Sequence, residues 1–345
     1  MFSTLIGNDE VKESLRHLLV SRRVPGSLLF TGHEGVGKKL FALELAKAMN
    51  CRNRVGVEAC DECSSCTRIT RSTFPPFGDV DDDKERMIWS EHADVAMARA
   101  YKNIIRVPVI RELEREANFR PFEGAVRIFI VEDADSMNDQ ASNALLKTLE
   151  EPPPTSHLIL TTSSPTALLP TIRSRCQTIR FAPIPREAIE TFLIEEKKLP
   201  TADAALLSRT SGGSLGRALG TDIDTYRERR DSMLEVLTAL TLTGDRGQLL
   251  RAAEALAAPK DRDEYERRLD ALEGLVRDAW ALRLGRPDET IVNGDLLKKL
   301  KPVAAELKSE QAGSWLTLIE ELRGALDVNI NRKIASDALL LTMAG

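Results

Sequence analysis

The sequence has no long hydrophobic run and no excess of positive charge. None of its apolar stretches approaches the ~20 residues of a membrane-spanning helix, and Met1–Thr4 lacks the basic region before an apolar one that marks a secretory signal. We therefore expect a cytoplasmic protein that does not contact membranes. The formal net charge of −5 argues against a protein that coats nucleic acid by bulk electrostatics. The acidic stretch 79–83 is interpreted as a solvated loop without an assigned function.

Cysteine is scarce, but four of the five cysteines lie close together. They have the spacing C-x8-C-x2-C-x2-C, at Cys51, Cys60, Cys63 and Cys66. Close C-x-x-C pairs can present their sulfurs to one tetrahedral Zn²⁺, and four protein ligands would make the site closed and structural. Disulfides are the alternative, although a cytosolic chain keeps its thiols reduced. Cys176 is interpreted as a small buried side chain, because no histidine lies near it in sequence to activate it.

A glycine-rich stretch, Gly32–Lys39, matches the phosphate-binding pattern G-x-x-x-x-G-K-[ST] at every specified position except the last. It follows the apolar run Ser27–Phe30 and precedes Leu40–Met49, where apolar residues recur at helical spacing. The sequence therefore predicts the strand, loop and helix that this motif requires. A glycine-rich turn without any ligand is the alternative interpretation.

The residues of this loop predict a phosphate cradle with altered metal chemistry. Backbone N–H groups would surround an anion at three glycines, Gly32, Gly35 and Gly37. Lys38 would add its charge for the outer phosphates. A hydroxyl normally comes next and ligates Mg²⁺, but Lys39 places an ammonium there, which cannot bind a cation. We expect ATP or ADP to bind weakly, or to bind without being hydrolysed.

Two further apolar runs predict parallel strands. Arg127–Val131 ends in the carboxylates of Glu132 and Asp133. Leu158–Thr162 follows a predicted helix over Asn143–Pro153. Alternating strands and helices give a parallel doubly wound sheet, which binds ligands at the carboxyl ends of its strands. In a P-loop ATPase such acids serve Mg²⁺ and the attacking water, whereas two solvated acids at a strand end are the simpler alternative.

Six features occur together in this chain. They are the loop Gly32–Lys39, the four-cysteine module, the pair Glu132-Asp133, the segment Asn143–Pro153, the pair Thr161-Thr162 and the motif Ser174-Arg175-Cys176. This combination resembles the AAA+ subunits of the bacterial DNA polymerase III clamp loader. The likeness extends from Leu5-Ile6-Gly7 to Asn329-Ile330-Asn331 and so covers nearly the whole chain.

The resemblance implies a fold and a set of partners. The expected fold is an α/β AAA+ P-loop domain with an embedded zinc module, a small helical lid and an all-α collar. We place the AAA+ domain at 1–182 with the zinc module at 51–66, the lid at 183–222 and the collar, an oligomerisation domain, at 223–345. The implied partners are gamma/tau and delta subunits in a pentameric ring, the sliding clamp, and primer-template DNA through the assembly. A helical bundle could equally be a private core, so the assembly follows from the resemblance alone.

Within this family the chain is more similar to delta-prime, a stator, than to the gamma/tau motor. Three features favour this: Lys39 in place of Ser/Thr, the order Glu132-Asp133 in place of Asp-Glu, and the segment Arg120–Gly124. A stator has little ATPase activity of its own and helps to load the clamp during DNA replication. An active gamma/tau-like motor is the main alternative. A zinc-ribbon nucleic-acid binder with a vestigial P-loop is disfavoured by the acidic net charge and by the position of the cysteines inside the AAA+ module.

The resemblance also implies roles for single residues. Arg175 corresponds to an arginine finger, which reaches in trans to the γ-phosphate held by the neighbouring subunit. Without the resemblance, the simpler interpretation is that Arg173 or Arg175 pairs with surface acids. Thr162 stands near the sensor-1 position of the degenerate nucleotide site. Gly216 fills the position of the motor's sensor-2 arginine, and Arg217 follows one residue later.

Overall fold

The computed structural model describes most of the chain, namely residues 1–71, 74, 85–244, 246–258, 261–326 and 330–344. The acidic stretch 79–83 lies outside the described residues. Among the helices of the described part, none is long and apolar enough to cross a membrane.

The chain divides into two compact units. The first comprises Met1–Phe192 and Ser211–Leu219, and the second comprises Leu193–Thr210 and Gly220–Gly345. The three-part division derived from the sequence, with boundaries at residues 182 and 222, stays a prediction.

A six-stranded sheet forms the centre of the first unit. Its strands are β1 (Ser27–Thr31), β2 (Ile88–Trp89), β3 (Val95–Ala98), β4 (Arg127–Val131), β5 (Ser156–Thr162) and β6 (Gln177–Arg180). Their order across the sheet is β2-β3-β4-β5-β1-β6, and only the β2–β3 pair is antiparallel. The predicted α/β fold with a parallel sheet is confirmed for five of the strands. The antiparallel edge was not predicted, because β2 has only two residues.

The described residues form fifteen α-helices. They are α1 (Asp9–Val20), α2 (Lys38–Asn50), α3 (Ser64–Arg71), α4 (Val107–Ala117), α5 (Asp139–Glu150), α6 (Pro170–Arg175), α7 (Arg186–Glu195), α8 (Thr201–Thr210), α9 (Leu215–Gly220), α10 (Ile223–Thr238), α11 (Arg246–Ala257), α12 (Arg262–Arg283), α13 (Leu297–Glu306), α14 (Ser309–Ala325) and α15 (Arg332–Ala344). A π-helical turn, Ala239–Thr243, follows α10.

Helices cover both faces of the sheet because successive strand residues point to opposite sides. In β4, Ile128 and Ile130 lie in one apolar cluster, which includes residues of α1 and α2. Phe129 and Val131 lie in a second cluster, which includes residues of α4 and α5. Every residue of β4 is buried, which explains why this strand reads in the sequence as a largely continuous hydrophobic run.

The second unit is helical throughout its described residues. One apolar core joins α10, α12, α14 and α15, with Met233, Leu272, Trp315 and Leu340 among its buried residues. The indole N–H of Trp315 donates to the carbonyl oxygen of Met343 at 2.9 Å, so its polar atom is satisfied inside this core.

The sheet order brings the predicted site residues to one edge. Strands β4, β5 and β1 are neighbours and run parallel. Their carboxyl ends carry, respectively, the Glu132-Asp133 pair, Thr162, and the loop that begins at Gly32. Ligands of open α/β sheets bind at such an edge. The structure therefore places these residues at one edge of the sheet, and their role in binding a ligand stays a prediction.

Candidate functional site

The loop between β1 and α2 is a turn whose shape depends on its glycines. Gly35 and Gly37 have φ angles of 74° and 99°, in the left-handed region that favours glycine. At Gly32 a Cβ atom would lie 2.7 Å from the carbonyl oxygen of Phe181. These glycines thus shape the turn, and their role in phosphate binding stays a prediction.

The side chain of Lys38 is bonded to the loop itself. Its Nζ donates to the carbonyl oxygens of Gly32 at 2.5 Å and His33 at 2.9 Å. Lys38 is buried, and this burial lowers its pKa. Three carboxylates act in the opposite direction on that pKa: Asp133, Asp135 and Glu34. A polyphosphate would therefore have to replace these loop carbonyls and lie beside three acids.

The side chain of Lys39 neutralises the acid at the end of β4. Its Nζ lies 3.0 Å from Oε1 of Glu132, and Nε of Arg99 donates to Oε2 of the same carboxylate at 2.8 Å. Burial alone would raise the pKa of Glu132, but Lys39 and Arg99 outweigh it and hold the pKa below its ordinary value. Where a motor would hold Mg²⁺ through a hydroxyl, this chain has an ion pair of its own.

Arg99 was not identified from the sequence. It directly follows β3, the strand beside β4, so its guanidinium reaches the carboxyl end of β4. In the sequence, Arg99 is a positively charged residue directly after the short apolar run Val95–Ala98. Its position could be predicted only if that run had been recognised as a strand.

The hydroxyl of Thr162 is engaged within the chain. It donates to a carboxylate oxygen of Asp135 and accepts from the backbone N–H of Ser164 at 3.0 Å.

Asp133 has a left-handed backbone with φ of 49°. Its carboxyl pKa is raised by burial and by the charges of Glu132 and Asp135. Asp135 was missed by the sequence analysis, although it lies only two residues beyond the pair that was singled out.

The first turn of α9 lies directly on the phosphate loop. The N–H of Gly216 donates to the carbonyl oxygen of Gly35 at 2.9 Å. A Cβ atom at Gly216 would lie 2.8 Å from Cα of Gly35, and one at Gly35 would lie 2.2 Å from Oγ of Ser214. An arginine side chain therefore cannot occupy position 216 without displacing the loop or the helix. We call the region formed by the loop Gly32–Lys39, Glu132, Asp133 and Thr162 the pocket, and the first turn of α9 covers part of its loop.

The four clustered cysteines converge on one point. Their Sγ atoms all lie within 4.8 Å of one another, and tetrahedral Zn–S bonds of about 2.3 Å place ligand sulfurs about 3.8 Å apart. Sγ of Cys51 and Sγ of Cys60 are 3.5 Å apart, too far for a disulfide bond. Backbone N–H groups of Cys60 and Cys63 each donate to a cysteine sulfur at 3.3 Å. The cluster has the ligand number and spacing to hold a metal ion.

The pKa values of the cysteines differ with their surroundings. Burial alone would raise the pKa of Cys63, but hydrogen bonds from the backbone at Cys66 and Arg52 lower it to about 6. The pKa of Cys51 and of Cys66 is instead raised, mainly by burial, so the negative charge of the cluster is held on Cys63. Burial raises the pKa of Cys176 to about 12, as expected of an inert structural thiol.

Two helices and a neighbouring segment position the cysteine cluster. Cys51 directly follows α2, and Cys66 lies in the first turn of α3. Arg68 of α3 forms an ion pair with Glu123, which lies in the Arg120–Gly124 segment before β4. The cluster is thus connected to the sheet on two sides.

Arg175 is the last residue of α6. Its Nη1 donates to the carbonyl oxygen of Thr171 at 3.0 Å, and its Nη2 donates to the carboxylate of Glu150 at the end of α5. The side chains of Arg175 and Glu150 are 32% and 50% exposed. Arg175 thus pairs with a surface acid in this chain, and a role in trans stays a prediction.

Comparison with known proteins gives consistent results. The family model described as DNA polymerase III, delta subunit, matches residues 7–185. The DNA polymerase III subunit delta' of Bacillus subtilis is 27% identical over 333 residues, which are 96% of this chain and 95% of that protein. Subunit delta' of Escherichia coli is 29% identical over 318 residues, 91% of this chain and 87% of that protein. Subunit tau of Bacillus subtilis is 28% identical over 253 residues, but these are only 41% of that protein and 72% of this chain.

Proposed function

The chain belongs to the family of the DNA polymerase III delta subunit, and we propose that it acts as a delta-prime-like stator of the clamp loader. In this role it supplies Arg175 to the ATP site of an adjoining motor subunit and does not turn over ATP itself. Its partners would be gamma/tau and delta subunits in a pentameric cytoplasmic ring that loads a sliding clamp on primer-template DNA. The delta' relatives support this, because they match over most of their length.

The ion pair between Lys39 and Glu132 carries the proposal. Hydrolysis of ATP in this fold needs Mg²⁺ to bridge the β- and γ-phosphates. A divalent ion about 4 Å from an ammonium would be disfavoured by about 8 kcal/mol at an effective dielectric constant of about 20. The Glu132 carboxylate that would attract the ion is already neutralised by Lys39 and Arg99. This argues against a gamma/tau-like motor, and any ATP or ADP that binds would do so weakly or without hydrolysis.

The cysteine cluster and the helical regions have structural roles in this proposal. Four thiolates at 51, 60, 63 and 66 suit Zn²⁺, which would tie the end of α2 to the start of α3. We assign residues 183–222 to the lid and 223–345 to the collar that joins the ring. The single apolar core of α10, α12, α14 and α15 provides a rigid support for such a collar.

The decisive experiment is to reconstitute the complex with Arg175→Ala and to measure DNA-stimulated ATP hydrolysis and clamp loading. Loss of an arginine finger in trans typically costs about 10³ to 10⁵ in rate at the site that it serves. Because only one of several motor sites is affected, total hydrolysis should fall by a smaller factor than clamp loading.

Two matched variants serve as controls. Arg173→Ala removes an exposed arginine from the same helix, and Lys38→Ala removes the loop lysine. Both should leave loading near the wild-type rate. Unchanged loading with Arg175→Ala would contradict the finger assignment. ATP turnover by the isolated chain that Lys38→Ala abolishes would favour the motor instead.

A further inference from the structure

The guanidinium of Arg175 is held by two acceptors from different places in the fold. One is the carbonyl oxygen of Thr171, one turn earlier in α6, at 3.0 Å from Nη1. The other is the carboxylate of Glu150, the last residue of α5, which accepts from Nη2. A backbone carbonyl and a carboxylate together fix both the position and the plane of the guanidinium.

The ion pair with Glu150 affects the ability of Arg175 to act as an arginine finger in two opposing ways. The arginine side chain has about 2 kcal/mol of rotamer entropy, so a partner that already orders it lowers the entropic cost of reaching a phosphate. The same carboxylate also competes with the phosphate for the guanidinium. Because Glu150 is 50% exposed, water screens this attraction, and exposed ion pairs contribute at most about 1 kcal/mol. A γ-phosphate with several negative oxygens attracts the guanidinium more strongly, so ordering outweighs competition.

The geometry also leaves the guanidinium able to bind a second anion. Its fork carries five N–H donors, and one at each Nη engages Thr171 and Glu150. The remaining donors are available for a phosphate. Glu150 therefore orients the fork without occupying all of it.

We propose that Glu150 is a positioning residue for Arg175, one that holds the guanidinium in the orientation in which it engages the phosphate of the neighbouring subunit. This inference rests on the proposed function. It gives a role to the acid that ends α5 in the segment Asn143–Pro153, which the sequence analysis used only as a predicted helix and as one feature of the family resemblance.

The test is a double-mutant cycle in the reconstituted complex, with Glu150→Ala, Arg175→Ala and the double variant. Clamp-loading rate is measured against ATP concentration. Glu150→Ala should lower the maximal rate about twofold to fivefold and leave the ATP concentration at half-maximal rate unchanged, since ATP is held by another chain. In the Arg175→Ala background, Glu150→Ala should have no further effect, because its only route of action is then absent.

Two variants separate orientation from damage to the fold. Glu150→Gln keeps an acceptor oxygen at the same place and should recover part of the rate. Glu151→Ala removes the exposed acid next in the chain and should load at the wild-type rate. If Arg175→Ala leaves loading unchanged, the proposed function is itself contradicted. If Arg175→Ala slows loading while Glu150→Ala leaves it unchanged or raises it, only the positioning role is overturned.

Discussion

The cysteine cluster and the phosphate loop both contain residues that bind ligands in other proteins, but they differ in what surrounds those residues. In the cluster, four sulfurs converge within 4.8 Å and hydrogen bonds lower the pKa of Cys63 to about 6. In the pocket, Lys39 and Arg99 already hold Glu132, and Lys38 is bonded to the carbonyls of its own loop. The cysteine cluster thus presents ligands that a metal cation could bind, whereas the acid of the pocket is already paired with the side-chain cations of Lys39 and Arg99.

This difference indicates how the shape of a ligand-binding motif can persist while its charged groups pair within the chain. The glycines of the loop keep its shape because they allow close approaches to Phe181 and to α9. The charges that would bind Mg²⁺ and phosphate are instead satisfied within the chain. Arg175 is different again, because it is partly exposed and pairs with a surface acid, Glu150. The guanidinium of Arg175 is thus partly open to solvent, as the proposed role in trans requires.

The largest effect should come from disrupting the cysteine cluster. Cys63→Ser removes one thiolate from the tetrahedral set, so the chain should lose its one zinc ion. Zinc binding contributes about 10–16 kcal/mol to the folding of small zinc modules. The Tm should therefore fall further than for the other substitutions considered below. Elemental analysis and thermal unfolding measure both outcomes.

Cys176→Ser is the control for zinc content, because Cys176 is buried outside the cluster. That variant should still contain one zinc per chain. Wild-type protein without zinc, or with a mapped disulfide between any two of the clustered cysteines, would remove the metal site and with it the contrast between the two sites.

An intermediate effect should follow from adding one methyl group where α9 lies on the phosphate loop. Gly216→Ala would place a Cβ atom 2.8 Å from Cα of Gly35, so backbone has to move. Overpacking of this kind costs typically 1–3 kcal/mol. The control is Gly220→Ala at the end of the same helix, where a Cβ atom meets nothing within 4 Å. Alanine favours a helix over glycine by about 0.5–1 kcal/mol, so the control should be neutral or slightly stabilised in chemical denaturation. Equal stability of the two variants would mean that the loop is not covered in solution.

Much of this pocket could be predicted from local sequence. The strand Arg127–Val131 was predicted with the bounds that the structure gives, because a fully buried parallel strand is a continuous apolar run. The position of Glu132 and Asp133 followed, since parallel strands of one sheet place their carboxyl ends at the same edge. The loop Gly32–Lys39 was recognised from its glycine spacing.

The partners that fill the pocket could not be predicted in the same way. Gly216 contacts Gly35, and Arg99 contacts Glu132, across large separations in sequence. Neither contact leaves a periodic pattern, because each depends on which strands and helices are neighbours in space. Glu150 illustrates the same limit: it reads as an ordinary charged residue at a helix end until the fold places it beside Arg175.

The smallest effect should come from Lys39→Ala, and its pH dependence identifies the cause. Lys39 and Arg99 hold the pKa of Glu132 below its ordinary value of 4.5. A carboxyl whose pKa is lowered by folding stabilises the folded state above its unfolded pKa, and this contribution is lost as the pH falls through the folded value. Lys39→Ala weakens that contribution, so it should cost about 1 kcal/mol at neutral pH, as partly exposed ion pairs do. The difference from wild type should vanish in acid, below the folded pKa of Glu132.

Lys39→Arg keeps the charge and should retain most of the stability, as urea denaturation at several pH values would show. A cost that persists unchanged in acid would mean that Lys39 stabilises the loop by packing, and its charge would then contribute nothing to the neutralisation of Glu132 on which the comparison with the cysteine cluster rests.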